Sequence, residues 1–311
     1  MTGLTDTSAS EINAALTRAR HRSGGFAVGM VLTMIVVSDE RDHAHAVSSA
    51  AEAARQHPCR IITTIPRGGK GRSRLDAEVG SGDDTGPGET VVLRLYGPLS
   101  RHAESVVTPL LLPDTPAVTW WPATAPAIPA DDALGAVAQR RITDAAASPK
   151  PVEALVRRYR GYHPGDTDLA WTRLTPWRAL LAAALDQPHD EIVGGSVHAA
   201  RGNPSADLLA GWLGERLGIT AERRNSRGPG ITAARLRSRR GEVSIARPDG
   251  RFATFTRPAQ PDRRVALYRR STADLLVEEL QRFDPDEPYE AALAEAAVIA
   301  RGAETAGRKR P

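Results

Sequence analysis

With 311 residues the chain is long enough for two domains with cores of their own, and 41% hydrophobic against 25% charged residues is the balance of a globular protein. No apolar run reaches the length that spans a bilayer, and the N-terminus lacks the basic-then-apolar pattern of a secretory signal, so a cytoplasmic protein without membrane partners is expected. The net charge of +4 does not make a nucleic-acid protein: of 41 basic residues only Lys70, Lys150 and Lys309 are lysine, an arginine excess that goes with the wealth of alanine, glycine and proline. A single cysteine, Cys59, excludes an internal disulfide.

In chain order, Ser8 and Glu11 match a capping box, and Ile12, Leu16 and Ala19 follow at helical spacing toward Gly24. Residues 26–37 form a long apolar strand, and residues 39–56 a helix with a narrow face of Ala44, Val47, Ala51 and Ala54. Residues 59–65 are the second strand, opened by Cys59 as a buried, inert thiol. The loop PRGGKGRSR, residues 66–74, is glycine-rich and basic but lacks Walker A spacing, and reads as a hairpin loop. Residues 75–79 are a strand, and 81–89 a turn-rich connection carrying Asp83 and Asp84 as loop carboxylates. Residues 90–126 read as strand, helix, strand, which predicts residues 90–96 and 117–121 as neighbouring parallel strands joined by a right-handed crossover. Trp120 and Trp121 lie at the carboxyl end of the second of these, where open α/β sheets meet ligands and partners. Residues 140–144, RRITD, form the last strand, with one of Arg140 and Arg141 expected in solvent and the other left open.

Pro149 and Pro151 mark a linker into a helix over residues 152–159. Thr175 and Pro176 read as N-cap and N1 of a helix whose apolar side is Trp177, Leu180, Leu181 and Leu185. Just before it, Asp166, Asp168, Trp171 and Arg173 crowd into a short stretch. They serve either capping and packing, with an Asp closing a turn and Trp171 filling the domain junction, or recognition, because Trp and Arg carry binding energy at interfaces. A strand at 192–197 precedes a helix opened by Asn203 and Pro204, buried through Leu208, Leu209, Trp212, Leu213 and Leu217, and ended by Gly218. Residues 231–240, 242–247 and 251–256 form an antiparallel meander. Arg235, Arg237 and Arg239 share one face as a basic stripe in solvent. Helices at 271–283 and 286–300 follow, then a basic tail.

The expected class is α/β: an N-terminal doubly wound, mostly parallel sheet domain, residues 1–148, and a C-terminal α+β domain with the meander, residues 149–300. A disordered tail, residues 301–311, completes the division. No G-x-G-x-x-G turn, G-x-S-x-G elbow or H-E-x-x-H helix is present. His43 and His45, two apart on a helix, face different ways and cannot share a metal. No catalytic residue, metal or other cofactor is expected.

The strings VVLRLYGPLSRHAESVV, LLLPDTPAVTWWP, RRITD and GDTDLAWTRLTPWRALLAAALDQP resemble the OpcA family, the glucose-6-phosphate dehydrogenase assembly proteins, and the similarity runs from about Gly29 to the final helices. The resemblance implies a non-catalytic cytoplasmic protein that binds glucose-6-phosphate dehydrogenase and promotes its active oligomer as an allosteric activator in the oxidative pentose phosphate pathway. It supplies no site residues, so the interface candidates Trp120, Trp121, Arg140, Asp166, Asp168, Trp171 and Arg173 rest on residue type and position. The rival is an enzyme or sensor that binds a sugar phosphate at the strand ends, with Arg140 or the Lys70 loop as phosphate ligand. A nucleic-acid surface on the Arg235 stripe lacks interleaved aromatics.

Overall fold

The computed structural model describes residues 1–22, 29–82, 86–186, 190–239 and 241–308. In chain order the elements begin β1 (Thr2–Leu4), α1 (Ala9–Arg22), β2 (Leu32–Val37), α2 (His43–Ala54), β3 (Cys59–Arg67), β4 (Arg74–Gly82) and β5 (Gly86–Tyr96). They continue α3 (Ala103–Val107), β6 (Ala117–Trp120), α4 (Ala133–Ala136), β7 (Arg140–Thr143), α5 (Pro151–Arg160), β8 (Asp166–Asp168), α6 (Leu169–Thr172) and α7 (Thr175–Leu185). The remainder is β9 (Ile192–Ala199), α8 (Pro204–Leu217), β10 (Ala221–Asn225), β11 (Ile231–Ser238), β12 (Glu242–Ala246), β13 (Phe252–Thr256), β14 (Arg263–Ala266), α9 (Thr272–Glu279) and α10 (Glu287–Arg308).

The chain divides into two compact units. One comprises Met1–Asp144, His163–Thr167 and Ser271–Pro285; the other comprises Ala145–Tyr162, Asp168–Arg270 and the chain from Asp286 on. The expected single boundary at residue 148 thus gives way to a chain that returns twice to its first unit, once with strand residues and once with helix α9. Helix α10 runs through Arg308, so residues 301–308 are helical rather than a tail. Gly24, Asp83 and Asp84, and residues 26–28 at the start of the strand expected over 26–37, lie outside the described residues.

In the first unit an eight-stranded sheet has the order β1-β4-β5-β3-β2-β6-β7-β8. The pairs β5-β3, β3-β2, β2-β6 and β6-β7 are parallel, and β1-β4 and β4-β5 antiparallel. Strands β5 and β6 therefore run the same way but are not neighbours: β3 and β2 lie between them, which corrects the expected pairing. A crossover can skip strands already in place, and the apolar runs of β2 and β3 claim the centre because Leu32, Met34, Ile35 and Val36 are all buried, as central parallel strands must be. The capping box forms as the spacing demands: Ser8 N–H donates to Glu11 and Glu11 N–H to Ser8 Oγ at 3.1 and 3.3 Å. Ile12 and Leu16 then pack on Leu75, Val79, Val91 and Leu93. Helix α2 buries Ala46, Ser49, Ala50, Ala53 and Ala54 rather than the expected stripe, because in a run of alanines many faces are equally apolar. Gly97 leaves β5 with φ +59°, and a Cβ there would sit 2.4 Å from Gly71 O, so only glycine closes that corner.

In the second unit a six-stranded sheet has the order β10-β9-β11-β12-β13-β14. The pair β10-β9 is parallel and every other pair antiparallel, with the expected meander from β11 to β13 extended by β14. One face buries Val197, Ala199, Ala234, Leu236, Val243 and Ile245 in a core shared with Leu208, Leu209 and Leu213 of α8 and Tyr289, Leu293 and Ala296 of α10. Asn203 caps α8 by accepting from Ala206 N–H, and Gly218 ends it in the left-handed region. The crossing of α8 and α10 is set by Gly211, where a Cβ would lie 2.5 Å from Ala292 O and 2.8 Å from Ala296 N. Gly211→Ala therefore forces the helices apart and is expected to destabilise the protein by about 1–3 kcal/mol. Chemical denaturation of the variant measures this, and an unchanged midpoint would contradict the close crossing.

Candidate functional site

The tryptophan pair at the end of β6 is interior. Trp120 and Trp121 are 1% and 2% exposed. Adjacent strand residues point to opposite faces, so both are covered only because the sheet is covered on both sides. Trp121 packs over Gly135, whose missing Cβ leaves room for the ring. Neither indole presents a surface to a partner in this conformation.

Arg140 and Arg141 are both buried, at 3% and 8% exposure, which corrects the expectation that one faces solvent. Arg140 forms an ion pair with Glu279 of α9 and donates through Nη1 to Asp284 O at 3.2 Å. Arg141 pairs with Asp166 and donates to Ala138 O and Pro164 O at 3.0 and 2.6 Å. Asp166 in turn accepts from His163 N–H at 2.9 Å. A buried guanidinium needs its charge matched and its donors filled, and the matching groups come from the two segments that return late to this unit. Each arginine is thus a clip that fixes a returning segment to β7. Glu279→Ala leaves Arg140 buried without its carboxylate and is expected to remove about 3–5 kcal/mol of stability, whereas Arg140→Met with Glu279→Leu recovers most of it. Urea melts of the single and double variants decide this, and equal losses in both would mean the pair is no clip.

In the second unit Asp168, fully buried, is the N-cap of α6: its carboxylate accepts from Ala170 N–H at 2.8 Å and from Ala145 N–H at 2.9 Å. Trp171, 1% exposed, donates from Nε1 to Asp286 at 2.8 Å, lies 5.9 Å from the Tyr289 ring and carries the Arg178 guanidinium 3.7 Å above its face. Arg173 is half-buried. Thr175 is not an N-cap: α7 follows Leu174 directly, and Thr175 Oγ1 accepts from Arg178 Nη2 at 3.0 Å. Of the two accounts of this stretch, the geometry favours capping and packing for Asp166, Asp168 and Trp171. Burial pushes the Cys59 thiol up to about 12, so it carries no thiolate at neutral pH.

The structure gathers one polar constellation that the sequence does not announce. The face of the six-stranded sheet opposite its core is open, and strand register stacks side chains on it in rows. Glu222 of β10, Ser196 of β9 and Arg235 of β11 are successive partners in one row, and Arg224 lies beside His198 in the next. In a third row Gly194, Arg237 and Glu242 stand side by side. Together they line a groove of about 270 Å³. Arg224 pairs with Glu222 at 2.7 Å and Arg235 with Glu242 at 2.8 Å. Ser196 Oγ lies 3.1 Å from His198 Nε2. Partial burial, then Arg235, Arg224 and Arg223, hold the imidazole below its ordinary 6.5, so His198 is neutral at pH 7. Among the described residues no carboxylate bonds the other ring nitrogen, so Ser196 and His198 lack the third group that orients and strengthens a catalytic base. The same residues include no group of His, Cys, Asp and Glu arranged to hold a metal ion.

Strand β10 is held in place from its other face. Arg223 Nε lies 3.2 Å from the buried carboxylate of Asp207 on α8, and Arg223 Nη2 donates to Ala200 O at 2.7 Å. Burial raises Asp207 to about 6 against the opposing pull of Arg223. The folded chain therefore keeps a proton on Asp207 between its ordinary 3.8 and about 6, where the unfolded chain has lost it. This contribution to stability is full below pH 3.8 and is lost as pH rises through about 6. Denaturation midpoints across that window are expected to show this decline in the wild type and not in Asp207→Asn; a carboxyl titrating near its ordinary value would refute it.

Residues 50–160 match the family model described as glucose-6-phosphate dehydrogenase subunit N-terminal domain, and residues 164–293 match the model of the corresponding C-terminal domain. Relatives carrying the name OpcA are 31% identical over 186 residues in Synechococcus elongatus and 30% over 185 in Nostoc punctiforme, covering 53% and 54% of this chain. The chain spans only 41% and 40% of the length of those relatives. Among solved structures, KijD10, a 3-ketoreductase from Actinomadura kijaniata in complex with TDP-benzene and NADP, is 12% identical with a TM-score of 0.48 over 87% of this chain and 96% of its own. The dehydrogenase MviM from Clostridium difficile is 5% identical with a TM-score of 0.47 over 88% and 99%. At these scores the solved structures lend no property to this chain. No helix among the described residues is long and apolar enough to cross a membrane.

Proposed function

Since the chain belongs to the OpcA family of glucose-6-phosphate dehydrogenase assembly proteins, we propose that it binds that dehydrogenase in the cytoplasm and promotes its active oligomer without turnover of its own. The observation that carries this reading is the match of both halves of the chain to models described as dehydrogenase subunit domains. The site geometry agrees with it, because the polar residues at the end of the parallel sheet are engaged in holding the fold. An activator acts by binding the active form of its target more tightly than the inactive one. A tenfold shift in that ratio needs roughly 1.4 kcal/mol of differential affinity, which a modest interface supplies.

The rival reading, a sugar phosphate held at the strand ends by Arg140 or the Lys70 loop, loses the first of these groups, because Arg140 is already matched by Glu279 and Asp284. Of the seven interface candidates, Arg173 alone is not fully buried, so it is the one with surface to offer a partner. The test is size-exclusion chromatography and activity assay of the dehydrogenase from the same organism with and without this protein. Co-elution in a larger oligomer with raised dehydrogenase activity is the expected result. Arg173→Ala is expected to weaken that binding by roughly 1–3 kcal/mol while the variant stays folded at the assay temperature, as a thermal melt checks. Truncating the buried Trp171 to Ala is instead expected to lower stability by roughly 3–5 kcal/mol. Absence of any complex at micromolar concentrations would overturn the proposal.

A further inference from the structure

We propose that the groove on the open face of the second unit's sheet binds a small hydroxylated phosphate monoester, with Arg237, Arg235 and Arg224 as phosphate ligands. Strands β10 and β11, on either side of β9, place the three guanidiniums over one floor. That floor exists because β9 carries Gly194 in the strand interior, on the same face as Ser196 and His198. A Cβ on Gly194 would reach within 3.0 Å of Arg237 Nη2, so the guanidinium lies directly on the glycine and a side chain there would displace it. Glycine inside a strand weakens the strand and marks close approach by another group.

The charges in the groove suit such a ligand. Arg237 is exposed and has no carboxylate partner among the described residues. Arg224 and Arg235 do have partners, but those pairs are open to water, with side chains 43–58% exposed, and exposed pairs are held weakly. A phosphate dianion offers guanidinium groups stronger, bidentate contacts than one exposed carboxylate does. Once exchanged, Glu222 and Glu242 become acceptors for the hydroxyls of the same ligand. Ser196 and the neutral His198 add a donor and an acceptor between the two ends. The volume, about 270 Å³, is at the lower edge of small-molecule sites, so a phosphate with a short polyhydroxylated body fills it and a nucleic-acid strand does not fit.

This inference is independent of the dehydrogenase and is read on the full chain alone. Isothermal titration with a hexose 6-phosphate, the free hexose and inorganic phosphate compares the three probes. Saturable binding of the ester, tighter than inorganic phosphate, with no binding of the free hexose, is the expected result. Arg237→Ala is expected to weaken the ester by about tenfold or more, and Gly194→Val to weaken it likewise by displacing the Arg237 guanidinium from the floor. Arg237 is exposed, so its variant is expected to keep the wild-type melting temperature and tests the site even if Gly194→Val fails to fold. An equal effect from Arg251→Ala, outside the groove, would expose mere attraction to net charge and overturn the proposal. Failure of the ester to saturate at millimolar concentration would do the same. So would inorganic phosphate binding as tightly as the ester, or indifference of ester binding to Arg237→Ala.

Discussion

A buried guanidinium is tolerable only beside a carboxylate and enough acceptors, and this protein rests its long-range order on that constraint. Arg60 and Glu89 are direct partners in the register of β3 and β5, with Nε to Oε2 at 2.7 Å and both side chains nearly sealed from water. Arg140 reaches Glu279 across 139 residues of sequence, and Arg141 reaches Asp166 across 25. In the second unit Arg223 joins β10 to Asp207 of α8. Shifting a register or releasing a returning segment would strand one buried charge, which is far more costly than losing an exposed pair.

What was legible in the sequence follows from this division of labour. The apolar runs of β2, β3 and β5, the meander from β11 to β13, the capping box at Ser8 and the Asn203 and Gly218 ends of α8 are local signals, and the structure contains them all. Strands β1, β10 and β14 were not foreseen, because short edge strands such as AERRN carry few apolar residues and alternate weakly. The separation of β5 from β6 was equally hidden, since order in a parallel sheet depends on strands contributed elsewhere in the chain.

The candidate sites divide in the same way. Arg140, Trp171 and Asp168 look like recognition residues because their types are those that interfaces use. Only distant partners reveal them as interior: Glu279 for Arg140, Asp286 and Tyr289 for Trp171, Ala145 for Asp168. The stripe of Arg235 and Arg237 was legible from period-two alternation, and it does lie on an exposed face. Its conversion into a groove depends on Arg224 from the unforeseen β10 and on Ser196 and His198 from β9, strands whose pairing with β11 no local spacing reveals.

The arginine excess acquires a structural meaning from the same observations. Composition alone reads as bias, and a basic isoelectric point invites an expectation of polyanion binding. Yet Arg60, Arg140, Arg141, Arg158 and Arg247 are buried. Arg247, held below its ordinary value at about 10 chiefly by burial, stays protonated at neutral pH and donates to Leu267 O and Ile231 O at 2.8 and 3.2 Å. A planar fork with five donors and weak hydration can be matched inside a protein by one carboxylate and a few carbonyls; a compact, strongly hydrated ammonium cannot be matched so well. The number of arginines therefore overstates how many cations a partner in solution meets. The cations that do face solvent matter by position, and Arg224, Arg235 and Arg237 matter because sheet register sets them over one glycine floor.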